Sequence, residues 1–318
     1  MRSSYETVIV GGGPAGLSAA IHLAWHDRKV VVLDRRSGPL FFTLEKLHNV
    51  PGMPSIRGLD LQKRLREQAD ALGVVMTRAN VVSVTGSAGS FVLSDDQGEQ
   101  WHAETVLLAT GVARYHPTVD GDYRPCFKYA GKGNLFYCPD CEAPEIRDKK
   151  TIVIGVGSAD GAGAMAIGLS RYTDDLSVLL TGDRDMSAER MSQLLDKGIA
   201  VEGGEILELV GAGRRLTALR IQEPNDGAET TLEAEAFFVS SPTYGRTDLA
   251  VDLGVEMAAT GNHAQPLSQR GDTNVEGIWI AGDLRPMTQQ VAVAMGTGNI
   301  AAVMIDQYLR RREVLPTG

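Results

Sequence analysis

Three cysteines and six histidines are all the thiol and imidazole ligands in this 318-residue chain. A structural zinc site needs four grouped ligands, usually two cysteine pairs or a pair with a histidine cluster. Cys126 stands alone, and His22, His26, His48, His102, His116 and His263 fall without ligand spacing, so no metal is expected. Positive charge is also short: 31 Lys and Arg against 40 Asp and Glu leave a net charge of -9, which argues against nucleic acid as a partner. The basic run Arg310, Arg311, Arg312 reads as a solvated helix end, favourable against the helix dipole. No uncharged apolar run approaches the roughly eighteen residues that a membrane-spanning helix needs. Met1 to Glu6 leads into a strand without an apolar signal core, so a cytoplasmic location and no membrane association are expected. With 43% apolar and 22% charged residues, a globular chain of two or three domains remains.

Two of the three cysteines lie in Tyr137-Cys138-Pro139-Asp140-Cys141-Glu142. Two intervening residues let both sulfurs meet across one turn, where one thiolate attacks a disulfide and the other thiol resolves the product. In a reducing compartment such a pair is more often catalytic or metal-bound than a static crosslink. With no further ligands to complete a metal site, the redox reading is preferred, and its meaning rests on the flanking sequence.

Thr7-Val8-Ile9-Val10 is a short β-branched run suited to a buried parallel strand. It enters Gly11-Gly12-Gly13-Pro14-Ala15-Gly16, then a helix rich in small and apolar residues, then the strand Lys29-Val30-Val31-Val32-Leu33, which delivers Asp34. In that order the pieces specify a dinucleotide site. The glycines let backbone approach a pyrophosphate, the helix N-terminus offers N–H groups and positive potential, and the acid accepts from a ribose hydroxyl. Asn49-Val50-Pro51-Gly52 reads as a loop returning toward the cofactor, and a helix is expected over about Gly58 to Leu72. Short segments at Val81-Val84, Phe91-Leu93 and Trp101-Ala103 predict a small meander, and Thr105 to Gly111 a separate buried strand closing the first unit. From Val112 to Lys132 the chain turns rich in Pro, Gly and Tyr, as a connection between domains would.

After the cysteine pair, Thr151-Ile152-Val153-Ile154 enters Gly155-Val156-Gly157-Ser158-Ala159-Asp160, a second dinucleotide fold by position. Its third small residue is replaced by Asp160, whose charge is expected near the phosphates that such a loop cradles. The next strand, Leu176 to Leu180, ends in Thr181-Gly182-Asp183, without the arginine pair that a 2′-phosphate favours. Strands near Ala200-Glu202, Ile206-Val210, Leu216-Gln222 and Ala236-Ser240 follow. The last third returns to the first theme: a strand ending in Gly282-Asp283, then Gln289-Gln290-Val291 and a small-residue helix. An acid at a strand end can bond a ribityl hydroxyl, and a helix N-terminus can face the electron-rich edge of a reduced flavin.

Assembled, these residues resemble the low-molecular-weight thioredoxin reductase family of FAD-dependent disulfide oxidoreductases, over nearly the whole chain. The resemblance implies an α/β fold of two Rossmann-like three-layer nucleotide-binding domains, with the FAD domain (about 1–115 and 245–318) split around a middle domain (about 116–244) that carries the cysteines. It implies FAD held by Gly11, Gly13, Pro14, Ala15, Gly16, Asp34, Arg35, Asn49, Val82, Ala109, Thr110, Gly111, Gly282, Asp283, Gln290 and Val291. Cys141 matches the flavin-facing cysteine and Cys138 the interchange thiol. Glu142 matches the acid after the motif, with a plain place in a helical turn ahead of Pro144 as the competing reading. A homodimer is implied, with a thioredoxin-like protein or a small-molecule disulfide or dithiol as partner. Asp160, Thr181-Gly182-Asp183 and Gln289, where many members have arginine, depart from the family pattern. They resemble the branches independent of pyridine nucleotide, so NADPH is expected to serve poorly, ferredoxin becomes a candidate donor, and the middle domain is open to another nucleotide or a second flavin. Three alternatives stay open: a small-molecule dithiol oxidase using oxygen, an ordinary NADPH-dependent thioredoxin reductase, and a non-catalytic flavin redox sensor.

Overall fold

A computed structural model describes residues 4–41, 43–182 and 184–314. The chain divides into two compact units, one of residues 1–41, 50–113 and 244–318, the other of 42–49 and 114–243.

In the first unit the β-branched run forms β1 (Ser4–Val10), and the glycine-rich turn opens α1 (Pro14–Trp25). There follow β2 (Val30–Leu33), α2 (Gly58–Ala71), β3 (Val75–Thr77), β4 (Val81–Thr85), β5 (Phe91–Asp95) and β6 (Gln100–Leu108). The sheet runs β3-β2-β1-β6-β5-β4. The expected meander and closing strand are joined: β6 is one continuous strand. Its N-terminal half pairs antiparallel with β5 (Phe91 opposite Ala103). From His102 onward it lies parallel to β1, from Ser4 opposite His102 to Val10 opposite Leu108. Thr105, the expected start of the closing strand, lies inside β6 and is buried, its hydroxyl 2.9 Å from that of Thr7 on the neighbouring strand.

The C-terminal segment completes this sheet. β15 (Ile278–Ile280) adds parallel to β6, with Ile280 opposite Leu108. α6 (Val291–Val314) packs on α1 so closely that a Cβ on Gly298 would lie 2.0 Å from the Ala15 carbonyl oxygen. Gly298 is therefore required by backbone contact, whereas Gly296 on the same helix has open space where a Cβ would be. The Arg28 guanidinium binds Asp306 of α6 at 2.8 Å and Glu6 of β1 at 2.7 Å, fixing the last helix to the first strand.

In the second unit β7 (Leu135–Phe136), β14 (Ala236–Ser240), β8 (Thr151–Val156), β9 (Leu176–Thr181) and β10 (Ala200–Gly203) form a parallel sheet in that order. The cysteine pair sits on α3 (Pro139–Glu142), and α4 (Ala159–Leu169) and α5 (Ala188–Asp196) follow β8 and β9. A three-stranded antiparallel sheet, β11 (Glu205–Ala212), β12 (Arg215–Gln222) and β13 (Glu229–Glu233), completes the unit. Alternation along the parallel strands makes three layers. Val153, Val178, Leu180 and Phe238 pack with Ala162, Ala166 and Leu194 of the helices. Ile152, Ile154, Leu179, Phe237 and Val239 pack with Ile206, Leu216, Leu219 and Ile221 of the antiparallel sheet. Both units are Rossmann-like.

Candidate active site

Parallel register sets the first half of the site. Val10 lies opposite both Leu33 and Leu108, and Leu108 opposite Ile280, so four strands end together and deliver Gly11, Asp34, Ala109 and Gly282 to one edge. Their turns enclose a cavity of about 420 Å³, at the carboxyl ends of parallel strands where α/β folds bind ligands. Among the expected residues, Gly11, Gly13, Pro14, Ala15, Asp34, Arg35, Val82, Ala109, Thr110, Gly111, Gly282 and Asp283 line it. Gly16, Asn49, Gln290 and Val291 fall outside that lining. Gly16 serves packing, since its Cβ would stand 1.9 Å from the Gly11 oxygen. Asn49 belongs to the second unit. The Gln290 carbonyl accepts the Ala294 N–H at 2.8 Å at the start of α6, where Val291 is the first residue.

The cavity fits a dinucleotide on three observations. Gly11 has φ +108°, and a Cβ there would stand 2.2 Å from the Ala109 oxygen, so the turn admits only glycine. Gly13 has φ −81° and open space where a Cβ would be, so neither backbone nor neighbours explain it, and a bound group needing that space does. It stands at the α1 N-terminus, which has no side-chain cap and so leaves its N–H groups to a ligand. Third, Gln62 is buried at the cavity wall with Nε2 bound to the Gly12 oxygen and Oε1 without a partner, an acceptor awaiting a donor.

Asp34 is held ready for a hydroxyl. Its Oδ1 accepts the Arg36 N–H at 3.0 Å and its Oδ2 the Arg66 guanidinium at 3.2 Å, leaving each carboxylate oxygen further capacity. Nearby, Arg35 Nε and Arg246 Nη1 both donate to Ser37 Oγ, at 2.6 and 2.9 Å. Burial, and then the charge of Arg35, push the Arg246 guanidinium down from its ordinary value. Sequence reasoning missed Gln62, Arg66, Ser37 and Arg246. Only Arg66, eight residues into the expected helix and on a polar face, carried any signal.

In the second unit Cys138 and Cys141 form a disulfide on the single turn of α3. Glu142 Oε2 accepts the backbone N–H groups of both Tyr137 and Cys138 at 3.0 Å. Burial raises the Glu142 carboxyl above its ordinary value, against those two bonds and the charge of Arg114. Tyr137 in turn holds His116: its hydroxyl lies 2.8 Å from His116 Nδ1, and Arg114 lies over its ring at 5.5 Å. His116 was set aside in sequence for lack of ligand spacing. Its place against Tyr137, the residue before Cys138, follows from tertiary contact. Among the described residues no group of three or more metal-ligating side chains occurs.

The second phosphate loop differs from expectation in where Asp160 points. Its Oδ1 accepts the Ser187 N–H at 2.8 Å, tying α4 to the start of α5. The α4 N-terminus is capped by its own Ser158, whose Oγ accepts the Gly161 N–H at 3.1 Å, unlike the open end of α1. Asp183 lies outside the described residues. Two arginines the sequence reading passed over stand further on. The Arg184 stem packs where a Cβ on Gly203 would lie 3.1 Å from its Cδ, and Arg190 packs on Gly163 with Nη1 bound to Gln193 at 2.7 Å.

Two Rossmann-like units, one with an open helix N-terminus at a cavity and one with a disulfide across a single turn, are the architecture of a flavin-dependent disulfide oxidoreductase. The chain belongs to the pyridine nucleotide-disulphide oxidoreductase family, whose model matches residues 5–298, and within it to the FAD-binding thioredoxin reductase-like group. It is 29% identical over 314 residues to a thioredoxin reductase of Treponema pallidum, covering 97% of this chain and 98% of that protein. It is 26% identical to a ferredoxin–NADP reductase of Metallosphaera sedula, covering 96% and 94%. Among solved structures, the atypical thioredoxin reductase TRi of Desulfovibrio vulgaris Hildenborough is 31% identical, with TM-score 0.52 and coverage of 99% and 100%. No helix among the described residues is long and apolar enough to cross a membrane.

Proposed function

We propose that this enzyme passes two electrons between FAD in the first unit and a thioredoxin-like disulfide partner, through Cys138 and Cys141, with NADPH a poor donor. The observation that carries this is the disulfide flanked by a partly buried carboxyl whose one oxygen is fixed by two amides. Bound FAD supplies two-electron exchange with the dithiol. Once the pair is reduced, the Cys138 thiolate attacks a sulfur of the partner disulfide and expels a partner thiolate. The Cys141 thiolate then attacks Cys138, re-forms the internal disulfide and releases the partner as a dithiol. Glu142, with Oε2 occupied, carries its proton on Oε1 and gives it to the leaving thiolate. A thioredoxin reductase relative at near-complete coverage supports the protein partner. The ferredoxin–NADP reductase relative supports keeping ferredoxin as a donor to test. A homodimer is part of this reading, with exposed Trp25 and Ile300 of the first unit as apolar surface to cover. Anaerobic stopped-flow spectra test the whole scheme: reduced enzyme mixed with an oxidised thioredoxin should reoxidise its flavin, and failure with every disulfide offered would sink it.

Two variants probe the parts. Asp34→Ala should weaken FAD retention by about ten- to a hundredfold, the worth of one charge-assisted hydrogen bond, read as flavin loss on dialysis. Unchanged retention would remove Asp34 from the cofactor site. Glu142→Gln should slow partner reduction by about a hundredfold. Because burial raises the carboxyl, the acid form persists to higher pH, and the wild-type rate should fall as pH rises through that value. The Gln variant should lack this limb. An identical limb in both would assign the titration to another group.

A further inference from the structure

The two amides that hold Glu142 Oε2 are fixed in different ways. The Cys138 N–H belongs to the redox turn itself, which closes on the Cys138 oxygen through the N–H groups of Cys141 and Glu142, both at 3.0 Å. The Tyr137 N–H lies outside that turn, in the one residue between β7 and the N-cap of α3. It belongs to neither element, so its direction depends on how the Tyr137 side chain is anchored.

His116 is that anchor. The Tyr137 hydroxyl lies 2.8 Å from His116 Nδ1. Burial pushes the phenol well above its ordinary value, so it keeps its proton and donates. Burial, and then Arg114, push the imidazole down, leaving Nδ1 as the acceptor and the ring proton on Nε2. His116 is packed among rings, with the centroids of Tyr137, Phe127 and Tyr123 at 5.3, 5.1 and 5.8 Å. An apolar side chain would fill the same space; what an imidazole adds is an acceptor for the phenol. The Arg114 guanidinium lies over the Tyr137 ring at 5.5 Å.

We propose that His116 and Tyr137 are positioning residues for Glu142: their O–H···Nδ1 bond sets the Tyr137 amide on Oε2, and with it the direction of Oε1, the oxygen that carries the proton. This rests on the acid role given to Glu142 above. Breaking the bond frees the Tyr137 amide and removes one of two donors that favour the carboxylate. Burial and the Glu45 charge then push the carboxyl up against the Cys138 N–H and Arg114 alone, and the alkaline limb of the rate moves up with it.

The test uses the FAD-loaded enzyme, photoreduced without oxygen and mixed with an oxidised bacterial thioredoxin across a pH series, with flavin reoxidation followed. Each rate is read against that with dithiobis(nitrobenzoate), whose aromatic thiolate leaves without a proton, so a damaged fold or dithiol cancels in the ratio. Tyr137→Phe and His116→Leu should each move the alkaline limb up by at least about half a unit, as one hydrogen bond to the carboxylate weakens. Below the limb the ratio should fall about tenfold as Oε1 loses its direction. The double variant should match either single one, since the same bond is lost in all three. His116→Asn, which offers an oxygen acceptor in place of Nδ1, should restore most of the shift. An unmoved limb in both single variants, additive shifts in the double one, or a limb that moves down would overturn the positioning role. Glu142 is also titrated directly, through the infrared band of its protonated carboxyl that Glu142→Gln lacks. If this titration moves up in both variants while Glu142→Gln keeps the wild-type limb, the positioning stands and the acid role fails.

Discussion

Cys138→Ser should lower turnover with a disulfide partner by at least about a thousandfold, because it removes the nucleophile and leaves Cys141 without a thiol to re-form the disulfide. Cys126, the remaining cysteine, is buried, donates to the Pro117 oxygen at 3.2 Å, and has its thiol pushed up to about 12 by burial. It is inert, and Cys126→Ala should leave the rate unchanged. Cys141→Ser has a different expected outcome. Cys138 can still attack, but nothing resolves the product, so the enzyme should stop after one event as a covalent mixed disulfide, visible by mass as an adduct that a reductant releases. The pair of outcomes assigns the order of the thiols, which their shared turn on α3 does not. A trapped adduct on Cys138→Ser, with neither adduct nor turnover in Cys141→Ser, would exchange the roles.

What could be read in the sequence was what is local. β1, the glycine turn, α1, β2 and Asp34 are consecutive, and each has a residue pattern that backbone geometry or a phosphate demands. Their arrangement follows with little help from the rest of the chain. Gly282-Asp283 was readable for a related reason: an apolar strand ending in a glycine at a cofactor edge repeats the pattern of Val10-Gly11. Gln62, Ser37 and Arg246 were not readable, and Arg66 only as a polar position on the expected helix. Each acquires its place only when α2, or the segment after the second unit, closes over the cavity, and no periodicity marks a polar residue for that. The sequence also divided β6 at Glu104, between the alternating segment Trp101-Ala103 and the apolar run that begins at Thr105. The antiparallel partner β5 on one half and the parallel partner β15 on the other make that mixed pattern sensible.

Asp160 shows the same limit more sharply. Read along the chain, it is a negative charge in a phosphate loop. In the fold it is a cap for the backbone of Ser187, twenty-seven residues away. The consequence for nucleotide binding changes form and keeps its direction. A loop that fills its own helix N-terminus with Ser158, and whose next acid holds a neighbouring helix, has fewer N–H groups and less positive potential to offer a pyrophosphate.

NADPH should therefore reduce the bound flavin at least about a hundredfold less effectively than a competent donor. Two deficits act together. The capped α4 N-terminus withdraws a phosphate contact, and Thr181 and Gly182, where β9 ends, provide no guanidinium fork for a 2′-phosphate. Each charge-assisted hydrogen bond lost is worth roughly 1.5–3 kcal/mol, and two reach a hundredfold in affinity. Arg184 and Arg190 are the route by which this expectation would fail, since both lie just beyond that strand. Their stems are engaged against Gly203 and Gly163, and Arg190 is bound to Gln193. The measurement is anaerobic bleaching of the flavin band by NADPH, NADH and reduced ferredoxin, in wild type and in Arg184→Ala/Arg190→Ala. Slow bleaching by both nicotinamides and fast bleaching by ferredoxin would place the enzyme among donors other than pyridine nucleotides. Rapid bleaching by micromolar NADPH, lost in the double variant, would instead make these two arginines a relocated 2′-phosphate site and the enzyme an NADPH-dependent reductase.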